Sequence, residues 1–172
     1  ALAVPTRFGQ NLIVKKGNNQ QINWISFDSD ESIWFQDSIT FSDIKNKYLS
    51  ENNHSVKNTL IEILHQAFIQ NPHFLNEEGY EIETHLTFPR IWGLGTSSTL
   101  INNIGQWLQI DAFELLSKSF GGSGYDIACA KSNSPIVYHL ENEKPHFKAI
   151  HFNPSFKENI HFVYLNQKQS SK

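Results

Sequence analysis

Pro89-Arg90-Ile91-Trp92-Gly93-Leu94-Gly95-Thr96-Ser97-Ser98 is the stretch on which the reading of this chain turns. The alternating segment Ile82 to Phe88 before it predicts a strand. After it, Leu100, Ile101, Ile104, Trp107 and Leu108 form an apolar stripe that predicts a helix over Ser98 to Leu108. Gly93 and Gly95 let backbone approach a ligand closely. Thr96, Ser97 and Ser98 place hydroxyls and free N–H groups at the first helical turn. Unpaired donors and the positive end of the helix dipole make such a terminus a ready anion site. The stretch therefore reads as a phosphate cradle.

A second glycine-rich segment lies downstream: Gly121-Gly122-Ser123-Gly124-Tyr125-Asp126-Ile127-Ala128-Cys129-Ala130. It follows a helical stretch, Asp111 to Phe120, and leads into small apolar residues. Its glycines permit turns that a Cβ would make costly, and they leave one carboxylate, Asp126, flanked by small groups. A carboxylate beside a phosphate cradle is what phosphoryl transfer to a hydroxyl requires, because a positioned base can accept the acceptor's proton.

Together the two segments resemble the GHMP kinases, the superfamily of galactokinase, homoserine kinase, mevalonate kinase and phosphomevalonate kinase. That family's phosphate loop reads roughly P-x-x-x-G-L-G-S-S-A; here it stands as P-R-I-W-G-L-G-T-S-S, with Thr96 for the first Ser and Ser98 for the usual Ala. The run G-S-G-Y-D-I-A, Gly122 to Ala128, is similar to the G-S-G-x-D segment of mevalonate and phosphomevalonate kinases and most of all to the bacterial subgroup named after G-Y-D-I-A. The opening Ala1-Leu2-Ala3-Val4-Pro5-Thr6 resembles the strand that follows the family's first motif.

The resemblance implies an ATP- and Mg2+-dependent kinase acting on a hydroxyl or phosphate of a mevalonate-like or other small metabolite. Gly93, Leu94, Gly95, Thr96, Ser97 and Ser98 would hold the ATP phosphates, with Ser97 on the magnesium ion. Asp126 matches the catalytic aspartate, and Ser123 and Gly124 lie where the loop meets substrate. Glu114 is near the family's magnesium-binding glutamate, but the register differs by about one residue. Asp111 followed three residues later by Glu114 also fits a capping box, so a helix cap is an equal reading of Glu114. The alternative from another class is a nucleotide-binding protein of this fold without turnover.

The implied fold is α+β: a mixed or antiparallel sheet with helices packed on one side, the layout of a GHMP N-terminal domain. It includes a left-handed βαβ crossover, against the usual right-handed rule. The family's first motif, with its strand lysine, would precede Ala1, and its third would follow Lys172. The expectation is therefore a fragment, inactive alone: residues 1–155 from the ATP-binding domain and 156–172 from the start of the next. The polar segment containing Pro145 and Pro154 reads as linker-like, and His161 to Leu165 as a strand.

Other elements follow from periodicity and punctuation. Strands are expected between Leu2 and Val14, over Ile22 to Phe27 and Ile33 to Phe35, and over Ile136 to Leu140, with Lys15 to Asn19 as a turn. His54 to Gln70 is the strongest helix, stopped by Asn71-Pro72.

At 172 residues the chain can bury one real core, and thirteen Phe with four Trp supply bulk for it. A net charge of −3, with both signs interspersed, argues against a nucleic-acid surface. No apolar run approaches the roughly 20 residues of a membrane span. The single Cys129 cannot form an internal disulfide, which fits a cytoplasmic protein. It reads either as a reactive thiol after Asp126 or as a small buried residue. The eight histidines show no metal-ligand spacing on a convincing helix. The loop lacks the lysine of a Walker motif and the third glycine of a dinucleotide fingerprint. Asn53-His54-Ser55 fits a glycosylation acceptor by chance.

Overall fold

Why the helices end up on one side is written in the strands. In Gln21–Phe27 (β3) and Tyr80–Leu86 (β5), alternate residues are buried: Ile22, Trp24 and Ser26 in one, Tyr80, Ile82, Thr84 and Leu86 in the other. Alternation at period two sends these to a single face. The computed structural model describes residues 1–51, 55–161 and 163, and it pairs β3 and β5 in parallel. Gln10–Lys16 (β2) and Ile33–Thr40 (β4) flank them antiparallel, giving the order β2-β5-β3-β4. A second sheet, β1-β6-β7, joins Leu2–Ala3 (β1), Ile136–Glu141 (β6) and Lys144–Ala149 (β7), all antiparallel.

Five α-helices among the described residues complete the layout. Phe41–Asn46 (α1) starts in a full capping box, in which Thr40 and Asp43 each accept the other's backbone N–H. Val56–Gln70 (α2) is capped by Ser55. Thr96–Leu108 (α3), Ala112–Ser119 (α4) and Tyr125–Ala130 (α5) follow. Leu60, Ile61 and Leu64 of α2, Ile101 and Ile104 of α3, and Leu115 of α4 close over the buried face of the larger sheet. Each such side chain contributes about 1.5–3 kcal/mol through burial. The buried Thr84 and Ser26 hydroxyls on that face satisfy one another and a neighbour: Thr84 Oγ1 donates to Ser26 Oγ (2.9 Å), which also accepts from Trp24 Nε1 (3.0 Å).

The opposite face is only partly buried: Lys15 pairs with Glu83 and Asn23 donates to Glu81, alongside Ile13, Ile25 and Phe27. Helices therefore lie on one side of a mixed sheet, as expected. No helix among the described residues is long and apolar enough to cross a membrane.

Several boundaries differ from expectation. Lys15 and Lys16 continue β2, so the turn comes later, at Gly17 to Gln20. β4 runs on to Thr40 rather than stopping at Phe35. α3 begins at Thr96, two residues early. The stretch after Ser123, read only as a run into small apolar residues, is helix from Tyr125. The linker-like segment holds a strand, β7, whose Pro145 opposes Leu140. β7 is an edge strand, where a missing N–H is tolerated. The helix start at His54, the glycosylation triplet and the strand His161 to Leu165 fall wholly or partly outside the described residues.

Candidate active site

The quoted stretch is held at both ends. Phe88, buried, anchors it beyond β5. Arg90 to Trp92 then make a single tight turn, in which the Trp92 N–H donates to the Pro89 carbonyl (2.9 Å). The Arg90 N–H donates to Asp28 Oδ1 (3.1 Å), and its guanidinium lies 4.7 Å from the Trp34 ring centre. The β3–β4 turn thus props the entry to the loop.

Gly95 is the residue that shapes the loop. It caps α3 in the left-handed region, at φ 77°, and no side chain satisfies the helix start. Among the described residues no acceptor is bonded to the amides of Thr96, Ser97 and Ser98, nor to the hydroxyls of Ser97 and Ser98. The next hydroxyl behaves differently. Thr99 turns back onto the carbonyls of Gly95 and Thr96 and onto Gln10 Oε1, while Asn103 donates to the Gln10 carbonyl (2.7 Å). These bonds fix the helix to strand β2 and leave its first turn open.

The two glycine-rich segments meet at one point. A Cβ on Gly95 would stand 3.7 Å from Asp126 Cγ and 3.8 Å from Oδ1. Asp126 sits in the first turn of α5, half-buried. Burial pushes its carboxyl above the ordinary value of 3.8, and the neighbouring Tyr125 hydroxyl offsets part of that. Tyr125 in turn is held up, chiefly by the charge of Asp126. No backbone N–H among the described residues donates to the Asp126 carboxylate. The Cys129 thiol, one turn on, is also raised, by burial and by Asp126. That direction makes it a poorer nucleophile at neutral pH.

Ser123 and Gly124 are clamped from beneath. The Tyr138 hydroxyl on β6 donates to the Ser123 carbonyl. Gly124, at φ 80°, is so close to Phe113 that a Cβ would come within 3.0 Å of the ring. Lys131 holds its ammonium 4.9 Å from the centre of the same Phe113 ring. Sequence reasoning missed Tyr138 and Phe113 as supports of the loop. Their only signal is that Tyr138 alternates with Ile136 on the inward face of β6.

Glu114 stands apart from this cluster. Its half-exposed carboxylate pairs with Lys118 at 2.6 Å, one helical turn away. Asp111 caps α4 through the Phe113 N–H (2.8 Å), and the return bond from Glu114 that would complete a capping box is not formed. No hydrogen bond or ion pair joins Glu114 to Ser97 or Asp126 among the described residues.

No family profile matches the chain, and no curated protein sequence does. Solved structures do match in fold. A protein of Campylobacter jejuni assigned as a sugar kinase is 15% identical, with a TM-score of 0.60 over 88% of this chain and 48% of its own. The D-glycero-D-manno-heptose 1-phosphate kinase of Bacteroides thetaiotaomicron is 17% identical, with a TM-score of 0.59 over 88% and 51%. The mevalonate kinase of Methanococcus jannaschii is 17% identical, with a TM-score of 0.52 over 87% and 47%. The chain spans about half the length of the solved structures it matches. The fold is thus the α+β layout that these kinases share.

Proposed function

We propose that this chain carries the nucleotide site of an ATP- and Mg2+-dependent small-molecule kinase of GHMP type, which transfers the γ-phosphoryl to a hydroxyl or phosphate of a small metabolite. The observation that carries the reading is the approach of Gly95 to Asp126. It sets a helix terminus with unpaired donors beside a carboxylate whose basicity burial has raised.

Each part of the site has a task that its chemistry suits. The amides of Thr96 to Ser98 and the backbone from Gly93 would hold phosphate oxygens, fixed in advance so that no reorganisation is needed as charge develops. Asp126 would accept, or orient, the proton of the attacking hydroxyl at its carboxylate oxygen. Ser123 and Gly124, clamped by Tyr138 and Phe113, would hold Asp126 and the acceptor in register. Ser97 and Glu114 are the residues that would hold magnesium. Ser97 offers a hydroxyl with no protein partner, and Glu114 a carboxylate that would have to leave Lys118. Magnesium keeps to one or two carboxylates plus substrate phosphates and waters, and one carboxylate with a hydroxyl is a donor set of that kind. When bound, the ion would supply charge neutralisation between phosphate oxygens.

A mevalonate-like acceptor is the nearest analogy for the substrate, and a cytoplasmic, metabolite-directed enzyme is the setting. The test is ADP release by the full-length protein, screened against small alcohols and phosphomonoesters. Stimulation by one acceptor class above background ATPase is expected. A protein that binds Mg-ATP yet is stimulated by none would be a nucleotide binder without turnover.

A further inference from the structure

The mouth of the phosphate loop carries an aromatic corner that neither the phosphate cradle nor Asp126 uses. Trp92, immediately before Gly93, and Phe8, from the segment between β1 and β2, meet at right angles: ring centres 5.5 Å apart, planes at 88°. Phe8 is backed by the buried Phe88, edge-on at 6.4 Å. Despite this packing, Trp92 remains 43% exposed and Phe8 47%, with Ile91 beside them at 53%. Two aromatic faces held rigidly in water are unusual, because burying them in the core would stabilise the fold. Nor is Trp92 loosely placed, since the Trp92–Pro89 and Arg90–Asp28 hydrogen bonds fix its turn.

Trp92 lies four residues before Thr96, which limits their separation to roughly 14 Å even if the chain between them were fully extended. Within that reach of the helix terminus proposed for the phosphates, an anchored flat ring is placed for the other end of a nucleotide. We infer that Trp92 and Phe8 form the platform for the nucleotide's base, Trp92 stacking on its face and Phe8 closing the adjoining edge. This rests on the kinase reading for the position of the phosphates. The corner binds through the π-face of the base, so its contribution is to affinity for any flat base rather than to recognition of one base's hydrogen-bonding edge.

The experiment is calorimetric titration of the full-length protein with two probes, Mg-ATP and inorganic Mg-triphosphate, which lacks a base. Trp92→Ala and Phe8→Ala should weaken Mg-ATP roughly tenfold or more and leave triphosphate unchanged, while Trp92→Phe restores most of the ATP affinity. Melting curves of each variant check folding, and Trp92 is exposed enough to be removed without opening the core. If wild type binds both probes and neither alanine variant alters Mg-ATP affinity, the platform is overturned and the phosphate loop stands. If triphosphate is weakened equally, Trp92 only shapes the loop and the platform is again overturned. If wild type binds neither probe, the kinase reading and the platform fall together. A variant that alters only the acceptor's KM places the corner on the acceptor side, against the inference.

Discussion

The two glycine-rich segments look alike in sequence and are built for opposite purposes. Each ends in a left-handed glycine that caps a helix without help from a side chain, Gly95 at φ 77° and Gly124 at φ 80°. Around Gly95 there is space on one side and a carboxylate on the other; around Gly124 there is an aromatic ring at contact distance and a tyrosine hydroxyl. The first is an open cradle over a long helix. The second is a closed clamp over a short one, and its product is the position of Asp126. The same local signal, glycine before a helix, thus says where the backbone turns but not whether the turn faces ligand or core.

The sharpest way to break that contrast is to fill the cradle. Gly95→Val puts a branched side chain at a left-handed φ, against Asp126 and where the proposed phosphate would lie. Mg-ATP binding by the full-length protein should fall below detection in calorimetry, with circular dichroism showing the fold retained. Undiminished affinity would sink the assignment of Gly93 to Ser98 as the phosphate site.

Asp126→Asn comes next, and it separates chemistry from binding. Losing a proton acceptor should lower the phosphoryl-transfer rate by roughly 10²–10⁴ with ATP affinity nearly unchanged. The wild-type rate should itself fall with acid at a higher pH than an ordinary aspartate would give, because burial raises this carboxyl. Stability should move the other way. A carboxyl whose folded pKa is raised contributes stability that is complete below its unfolded value and is lost as pH rises through the folded one. At neutral pH the folded state therefore carries the cost of a half-buried charge. Asp126→Asn should raise the Tm slightly at pH 7 and leave it unchanged below about pH 3.8. A lower Tm at pH 7 would instead make Asp126 a structural acceptor of the loop.

Gly124→Ala tests the clamp. Its Cβ meets Phe113 at 3.0 Å and its φ disfavours any side chain. Overpacking of this kind costs about 1–3 kcal/mol, read as a fall in the denaturant midpoint. Nucleotide affinity should hardly move. If ATP binding collapses while stability holds, Gly124 belongs to the cradle and the contrast between the segments is wrong.

Much of this was legible in the chain. Period-two burial in β3 and β5 and the apolar stripe of α3 follow directly from residue order, and so does the glycine-led turn before each helix. What was hidden is non-local. Nothing near Ser123 announces that Tyr138 will clamp its carbonyl, and nothing near Trp92 announces Phe8. Those pairs exist only once β6 lies beside α5 and the β1–β2 connection crosses the loop. Local chemistry misled twice. Pro145 argued for a linker because a proline cannot donate within a ladder, yet an edge strand tolerates it. Asp111 and Glu114 spell a capping box, but a lysine one turn on offers Glu114 a charged partner, while Asp111 caps the Phe113 amide alone.

That glutamate gives the smallest expected effect and the finest test of where the cradle ends. As an exposed i,i+4 partner of Lys118, Glu114 contributes only about 0.3–0.5 kcal/mol, so Glu114→Gln should barely shift the melting curve. A cap would behave otherwise, since its loss costs about 0.5–2 kcal/mol. A magnesium role shows on a different axis: the metal concentration for half-maximal turnover should rise while metal-free ATP affinity stays put. Lys118→Ala supplies the control. It releases the Glu114 carboxylate without removing it, so if Glu114 serves the metal, the magnesium requirement should fall or stay level in that variant and rise in Glu114→Gln. Identical metal titrations in all three proteins would confine Glu114 to a surface ion pair and leave the ion to Ser97 and the phosphates, with the cradle ending at the first turn of α3.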